Sequence, residues 1–547
     1  LVVLSGSEAL IESLKREKVE VIFGLPGGAI MPVYDELMDS GIRHILVSHE
    51  QCAGHMADSF ARVSRRVGVC MTTSGPGSTN LVTGIANAHM DSSPVVAITG
   101  QVASSLIGKD AFQEIDTPGV TSAITKYTFQ IRHQSEIPLA VKAAFHIAST
   151  GRPGPVIIDL PRDIQVGEAE VSFPKQVERT HRNSKAFSEV AVKSAIKVLE
   201  RAERLLIIAG GGIKCCDASR ELRDLAERLK APVVNTLMAK GCVSETHPLA
   251  MGMIGMHGLP YANRLMREAD VILAIGCRFS DRSVGAQGGY LGDAKIVHVD
   301  IDASEISKNV VANVQVVGDA KMVMRRLLQL IKPSRGRKRW LKYATELKQA
   351  YRPPPDHGNT LKPRRLLKEL RQLLPRNGII TTEVGQNQMW AALYLRVYTP
   401  RTFISSGGLG TMGFGFPAAL GAKVAKPSSP VVDIAGDGSF LMTQQELATS
   451  VREKIPVVVI IMDNQMLGMV AQWQRSLYNR RYSQTKLGRA TDFVKLAEAY
   501  GAQGLRVESY VEFRNAVKTA LNSDVTTVID VPISPEEDVL PISLPTK

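Results

Sequence analysis

At 547 residues the chain is too long for one hydrophobic core, and a prior of about one domain per 150 residues suggests three or four; three is the count adopted. Hydrophobic residues make up 44% and charged residues 22%, an ordinary globular balance, and no apolar run is long enough to cross a bilayer, which excludes a membrane span. The net charge of +13 is spread along the chain without interleaved aromatics or a binding motif, which sets nucleic acid aside in favour of anionic substrates, phosphates and a solvated surface.

The chain opens on LVVLSGSEALIESLKREKV, whose helical periodicity leads us to expect a folded element there and not a targeting segment. Two compartments stay open: the cytoplasm for a prokaryotic chain, an organelle where a transit peptide has been removed. From there, Val- and Ile-rich runs at 19–27, 94–100, 155–160, 204–212, 270–276 and 456–464 alternate with longer helical patterns. The alternation predicts an α/β protein built of doubly wound parallel sheets. Two polar or basic stretches, Phe173–Ser188 and Lys332–Pro363, divide it into thirds. The expected domains are therefore 1–170, 188–332 and 362–535, with linkers at 171–187 and 333–361 and a tail at 536–547. The basic run Lys332–Arg339 falls in the second linker. The six cysteines, Cys52, Cys70, Cys215, Cys216, Cys242 and Cys277, lack zinc-site spacing and disulfide density, so buried free thiols are expected.

The first and last thirds echo each other, SSPVVAITG at 92–100 against SSPVVDIAG at 428–436, each after a glycine-rich turn. Two related domains facing one ligand is the reading this suggests. In the middle third, Gly210, Gly211 and Gly212 follow an apolar run, and Gly276 follows another; glycine loops at strand ends imply a nucleotide-like ligand, though the spacing is not GxGxxG.

The strongest motif lies in the last third. Gly436-Asp437-Gly438-Ser439 is followed by a helical stretch, an apolar strand and then Asn464. Magnesium takes hard oxygen ligands, commonly one carboxylate, a few neutral oxygens and substrate phosphate. Asp437, Asn464 and the backbone carbonyl of Met466 fit that demand, and the glycines let backbone N–H groups crowd a diphosphate at a helix start.

This pattern resembles the thiamine-diphosphate enzymes, whose decarboxylase branch runs pyrimidine-binding, middle and diphosphate-binding domains in that order. Thiamine is an electron sink, and it requires a carboxylic acid against its pyrimidine N1′. Glu50, between the apolar Ile45-Leu46-Val47 and a helix, sits at a strand end suited to that task. Over nearly the whole chain the likeness is to acetohydroxyacid (acetolactate) synthase catalytic subunits. The segments that carry it are Gly24–Gly28, Asp110–Glu114, Gly255–Gly258, Arg278–Arg282, Gln386–Trp390, Gly407–Gly413 and Leu467–Trp473.

The resemblance implies a carboligase that decarboxylates pyruvate and joins the two-carbon unit to pyruvate or 2-ketobutyrate, giving acetolactate or acetohydroxybutyrate for branched-chain amino acids. It implies thiamine-diphosphate contacts at Ser74, Pro76, Asn80, Val384, Gly385, Gln386, Asn387, Gly410, Gly436, Gly438, Ser439, Gly468 and Met469, with Met412 as the apolar wedge that keeps the cofactor bent. It implies FAD, in a non-redox role, at Gly210, Gly211, Gly212, Thr236, Leu237, Met238, Met256, His257, Gly258, Gly276, Arg278, Asp281, Arg282, Asp300 and Ile301. Arg282 matches the acceptor's carboxylate clamp and Trp473 the aromatic beside its alkyl group; Gly27 and Gly28 match a small-residue loop near the reacting carbon. Phe112 and Gln113 match a pair donated by the neighbouring subunit, so a homodimer or higher assembly with interfacial sites is implied, and a small regulatory subunit is a further possible partner. Departures are Arg162 where the family commonly has Lys, Cys52 where it has Ala or Gly, and Ala103-Ser104-Ser105. The rival readings are a flavin-dependent pyruvate oxidase, which Arg282 and Trp473 disfavour, and a non-catalytic thiamine-fold binding subunit.

Overall fold

Runs of β-branched residues bounded by glycine and proline assemble into three six-stranded sheets in the computed structural model, which describes residues 2–176, 187–285, 289–334, 336–353 and 361–540. The chain opens on a short strand, β1 (Val2–Ser5), and not on helix; the helix Gly6–Arg16 follows, started by a capping box in which Ser5 and Glu8 exchange hydrogen bonds. The first sheet holds β2 (Val21–Leu25), β3 (Arg43–Leu46), β4 (Gly68–Thr72), β5 (Val95–Gln101), β6 (Tyr127–Gln130) and β7 (Val156–Pro161), in the order β3-β2-β4-β5-β7-β6. A further strand, β8 (Glu168–Val171), returns antiparallel to β1.

The middle sheet holds β9 (Leu205–Ala209), β10 (Val233–Asn235), β11 (Ala250–Met253), β12 (Val271–Ile275), β13 (Lys295–Asp300) and β14 (Val314–Val317), ordered β11-β10-β9-β12-β13-β14. The last holds β15 (Ile379–Thr382), β16 (Phe403–Ser405), β17 (Val431–Gly436), β18 (Val458–Asp463), β19 (Gln503–Arg506) and β20 (Thr527–Pro532), ordered β16-β15-β17-β18-β20-β19. All pairings within the three sheets are parallel. The central strands β4, β5, β7, β9, β12, β15 and β18 are buried throughout, as helices on both faces require, which is why they read as unbroken apolar runs.

The first and last sheets share one strand permutation, so the two thirds are topological copies. The sequence echo is not that duplication. SSPVVAITG contains β5 up to Gly100 and SSPVVDIAG contains β17, whose counterpart in the first sheet is β4. Both segments merely meet the same demand, a buried central strand after a turn. The copies meet through counterpart helices, Glu50–Ser64 after β3 and Gly415–Ala425 after β16. Their contact is close: a Cβ on Gly421 would stand 2.2 Å from the Met56 carbonyl oxygen, and Ser59 Oγ donates to the Ala418 carbonyl at 2.6 Å. Met56, Phe60, Phe414, Phe416 and Leu420 fall in one core that spans both thirds.

The segment 333–361 is more than a linker. It carries the helix Lys338–Ala350, whose buried Trp340 donates Nε1–H to the Leu205 carbonyl of β9. Arg337 of the basic run donates to the carbonyls of Leu199, Ala202 and Leu229, the free C-terminal ends of the helices Glu189–Arg201 and Ser219–Leu229. Most of the stretch 171–187 lies outside the described residues, as does the tail beyond residue 540. Cys52, Cys70, Cys242 and Cys277 are buried as expected; Cys215 is exposed and Cys216 partly so. Among the described residues no helix is long and apolar enough to cross a membrane.

Candidate functional site

In an open parallel sheet the crevice for a ligand lies beyond the strand ends where the order reverses direction. In the last sheet that point falls between β15 and β17, and the sequence places Val384–Asn387 after one strand and Gly436–Ser439 after the other. Val384, Gly385, Gln386, Asn387, Met412, Gly436, Asp437, Gly438, Ser439, Asn464, Met466, Gly468 and Met469 all line one cavity of about 60 Å³. Gly410 lies off it, on the larger neighbouring cavity that Met412 and Met469 also reach. Gly468 lets two amides approach closely: a Cβ there would stand 2.2 Å from Gln386 Oε1 and 2.6 Å from Asn464 Nδ2, so both side chains would have to move.

Asp437 begins the short helix Asp437–Phe440; its Oδ1 accepts from Gly438 N at 2.9 Å, and its buried Oδ2 has no protein partner. Burial, aided by the charge of Asp463, pushes its carboxyl up to about 8. A carboxylate that the protein leaves this poorly compensated fits a cation. Asn464 donates Nδ2–H to Gln386 Oε1 at 3.1 Å, and its Oδ1 accepts from Met466 N, also at 3.1 Å. Among the described residues no three His, Cys, Asp or Glu side chains gather as a metal site, so magnesium here would rest on one carboxylate, neutral oxygens and phosphate.

The first sheet brings a second group together. Glu50 is the first residue of its helix, 7% exposed, and accepts from Asn80 Nδ2 at 3.0 Å. Ser74 and Pro76 lie at the start of the helix Pro76–Met90, where the buried Ser74 Oγ has no partner. Gly77 lies next to this group, where a Cβ would stand 2.7 Å from Thr73 Cγ2 and in ordinary contact with Glu50 Oε1. Gly27 abuts Thr73 across the β2/β4 reversal point, while Gly28 faces open space. Phe112 is 88% exposed, Gln113 packs with positive φ against Gly75, and Arg162 is exposed at the end of β7. Within one chain none of these first-sheet residues lines either cavity named above.

The middle sheet reverses between β9 and β12, and there opens a cavity of about 660 Å³. It is lined by Gly211, Gly212, Thr236, Leu237, Met238, Met256, His257, Gly276, Arg278, Arg282, Asp300 and Ile301, and by Met412, Met469 and Trp473 from the last third. Its volume and its strand-end glycine loops fit a large dinucleotide such as FAD. Three expected members do not reach it. Gly210 serves loop packing, since a Cβ there would stand 1.9 Å from the Gly276 carbonyl oxygen; Gly258 closes a tight turn on Gly255; and the Asp281 side chain is exposed, 3.6 Å from Arg282. Burial pushes Asp300 up to about 6, and burial with the Arg282 charge pushes His257 down to about 4. Arg282 and Trp473 meet on this wall: the guanidinium lies 5.6 Å from the ring centroid and donates to Met256 Sδ at 3.0 Å.

Sequence reasoning passed over Arg152, which reaches from the first third to Glu305 at 2.8 Å and to Ser92 Oγ at 2.9 Å on the same cavity. No local pattern marks such a residue, because its partners lie 60 and 153 positions away. It also passed over Glu383, though a carboxylate next to Val384 on a buried strand end was a visible signal.

Three family models match the chain: "Thiamine pyrophosphate enzyme, N-terminal TPP binding domain" at residues 4–120, the "central domain" at 192–327 and the "C-terminal TPP binding domain" at 383–531. Among curated proteins, a "Probable acetolactate synthase large subunit" of Methanocaldococcus jannaschii is 51% identical, over 98% of this chain and 93% of its own length. An "Acetolactate synthase" of Mycobacterium bovis is 45% identical over 98% and 90%. The "Acetolactate synthase isozyme 2 large subunit" of Escherichia coli is 41% identical over 99% and 98%.

Proposed function

From the premise that the chain belongs to the acetolactate synthase family of thiamine pyrophosphate enzymes, we propose that it decarboxylates pyruvate and condenses the two-carbon unit with pyruvate or 2-ketobutyrate. The products would be 2-acetolactate and 2-aceto-2-hydroxybutyrate, precursors of branched-chain amino acids. The observation that carries the acceptor assignment is the meeting of Arg282 and Trp473 on the wall that Met412 and Met469 also line. A guanidinium suits the carboxylate of a second keto acid, and the ring beside it offers an apolar surface for its alkyl group.

Bound thiamine diphosphate supplies the electron sink that lets the bond between the carboxylate and keto carbons of pyruvate break. The chain's own residues bind and orient. Asp437, Asn464 and the Met466 carbonyl would hold magnesium against the diphosphate, with Gly436, Gly438, Ser439 and Gly468 allowing close backbone approach. Glu50 would hold a proton at the pyrimidine N1′, Met412 would keep the cofactor bent, and the Gly410 carbonyl would accept from its 4′-amino group. FAD would fill the middle cavity without net redox, excluding water along one wall.

The assembly we assign is a homodimer or larger, with each site shared between two chains. Its support is the separation of the Glu50 group from the diphosphate cavity within one chain, and the large exposed Phe112. Relatives named as large subunits support a small regulatory partner, and their archaeal and bacterial sources support the cytoplasm as compartment.

Carbon NMR of products from labelled pyruvate, with thiamine diphosphate, magnesium and FAD, tests the reading. Acetolactate alone, joined by acetohydroxybutyrate when 2-ketobutyrate is added, is expected. Acetate or acetaldehyde without either would overturn it.

A further inference from the structure

Glu383 directly follows β15, one residue before the diphosphate cavity begins, is wholly buried, and is absent from every role assigned above. Burying a carboxylate is costly, and a merely structural position would be filled more cheaply by an apolar or amide side chain. Three donors converge on it. Gly413 N donates to Oε2 at 2.8 Å, Ser439 Oγ to the same oxygen at 2.6 Å, and Phe416 N to Oε1 at 2.9 Å. Phe416 N belongs to the first turn of the helix Gly415–Ala425, so that bond alone would make Glu383 a helix-capping acid. The other two carry a different meaning. Gly413 follows Met412, the wedge, and Ser439 closes the diphosphate loop Gly436–Ser439. A single carboxylate oxygen thus bonds both loops, and Gly413 N and Ser439 Oγ lie 3.1 Å apart.

The surroundings are built to admit this contact. Gly413 has φ +84°, and a Cβ on Gly415 would stand 2.4 Å from both Glu383 N and Asp433 Oδ1. Asp433, on β17, is wholly buried beside Glu383; its Oδ1 accepts from Thr381 Oγ1 at 3.0 Å, and its Oδ2 has no protein partner. Burial and the Glu383 charge drive the Asp433 carboxyl well up, whereas the donors to Glu383 oppose its own rise. Burial raises both carboxyls, and Glu383 is the one to which both loops donate.

We propose that Glu383 is a positioning residue which, through one carboxylate, fixes the wedge loop at Gly413 against the diphosphate loop at Ser439, and so sets the cofactor's bend relative to its anchored end. This deepens the thiamine-diphosphate reading and rests on it.

The test compares wild type, Glu383→Gln and Asp433→Asn in the full chain with FAD. Thiamine diphosphate with magnesium is titrated calorimetrically, then kcat and the pyruvate KM are measured at cofactor saturation. Melting temperature and flavin absorbance serve as fold readouts. The expected result is that Glu383→Gln weakens thiamine-diphosphate binding and lowers kcat, each by about tenfold or more, with pyruvate KM changed less than about twofold. Its melting temperature and flavin should match wild type, and Asp433→Asn should match wild type throughout. The proposal is overturned if Glu383→Gln binds cofactor and turns over normally, if it loses flavin and melting temperature along with the cofactor, or if Asp433→Asn shows the same losses. A wild type that binds the cofactor but makes no acetolactate sinks the acceptor chemistry alone, and the titration still decides on Glu383; a wild type that binds none overturns both.

Discussion

Arg282 shows how magnitude separates two partners for one side chain. Its contact with the Trp473 ring is a cation–π pair at a site where the arginine is 61% exposed, worth about 0.5–1 kcal/mol. A hydrogen bond to a charged carboxylate contributes about 1.5–3 kcal/mol, so the ring aims the guanidinium without holding it back from a substrate. Replacing it, Arg282→Ala, should lower kcat/KM for the acceptor acid by about 10- to 100-fold while carbon dioxide release from pyruvate persists. The ratio of carbon dioxide to acetolactate measures this, and an unchanged ratio would refute the clamp. For Glu50→Gln the expectation is a kcat lowered by roughly 10²–10⁴ with thiamine diphosphate still bound, read by steady-state rates beside a binding titration. Normal turnover would remove Glu50 from the chemistry.

The helix Glu50–Ser64 owes part of its placement to an acid from the other end of the chain. Glu446, wholly buried, accepts from Ser48 N at 3.0 Å and His49 N at 3.1 Å, the two residues just before Glu50. Burial raises its carboxyl from 4.5 to about 7. The folded chain thus holds a proton that the unfolded chain releases, so the associated stability is complete below about pH 4.5 and is lost as pH rises through about 7. A shift of this size corresponds to about 3 kcal/mol at most. Glu446→Gln should therefore show a shallower fall of melting temperature between pH 5 and pH 8 than wild type does; parallel curves would show that Glu446 does not titrate there. Such a contact marks the limit of what the sequence made legible. Buried parallel strands stood out as Val and Ile runs because both their faces are covered. The short β1, the helix Lys338–Ala350 and the role of Arg337 did not, because each is settled by remote partners: β8 for the first, the Leu205 carbonyl for the second, two helix ends for the third. For the site, motif glycines and Asp437 could be read in place, whereas Arg152 and Glu446 act across sheets and carry no local mark.

At the scale of the whole molecule, one chain presents its Glu50 group and its diphosphate cavity in separate places. Glu50→Gln and Asp437→Asn chains, each inactive alone, should regain about a quarter of wild-type activity when co-expressed equally, because half the dimers then hold one intact site. No recovery would place both residues in the same chain's site. A different consequence follows from the core shared by the first and last thirds. The apolar face of Glu50–Ser64 is covered by Gly415–Ala425, and roughly 350 residues of translation separate the two, about 20 to 70 s at ordinary rates of synthesis. During that interval the nascent chain carries on the ribosome a finished helix whose His55 and Ser59 face still awaits Phe414 and Ala418.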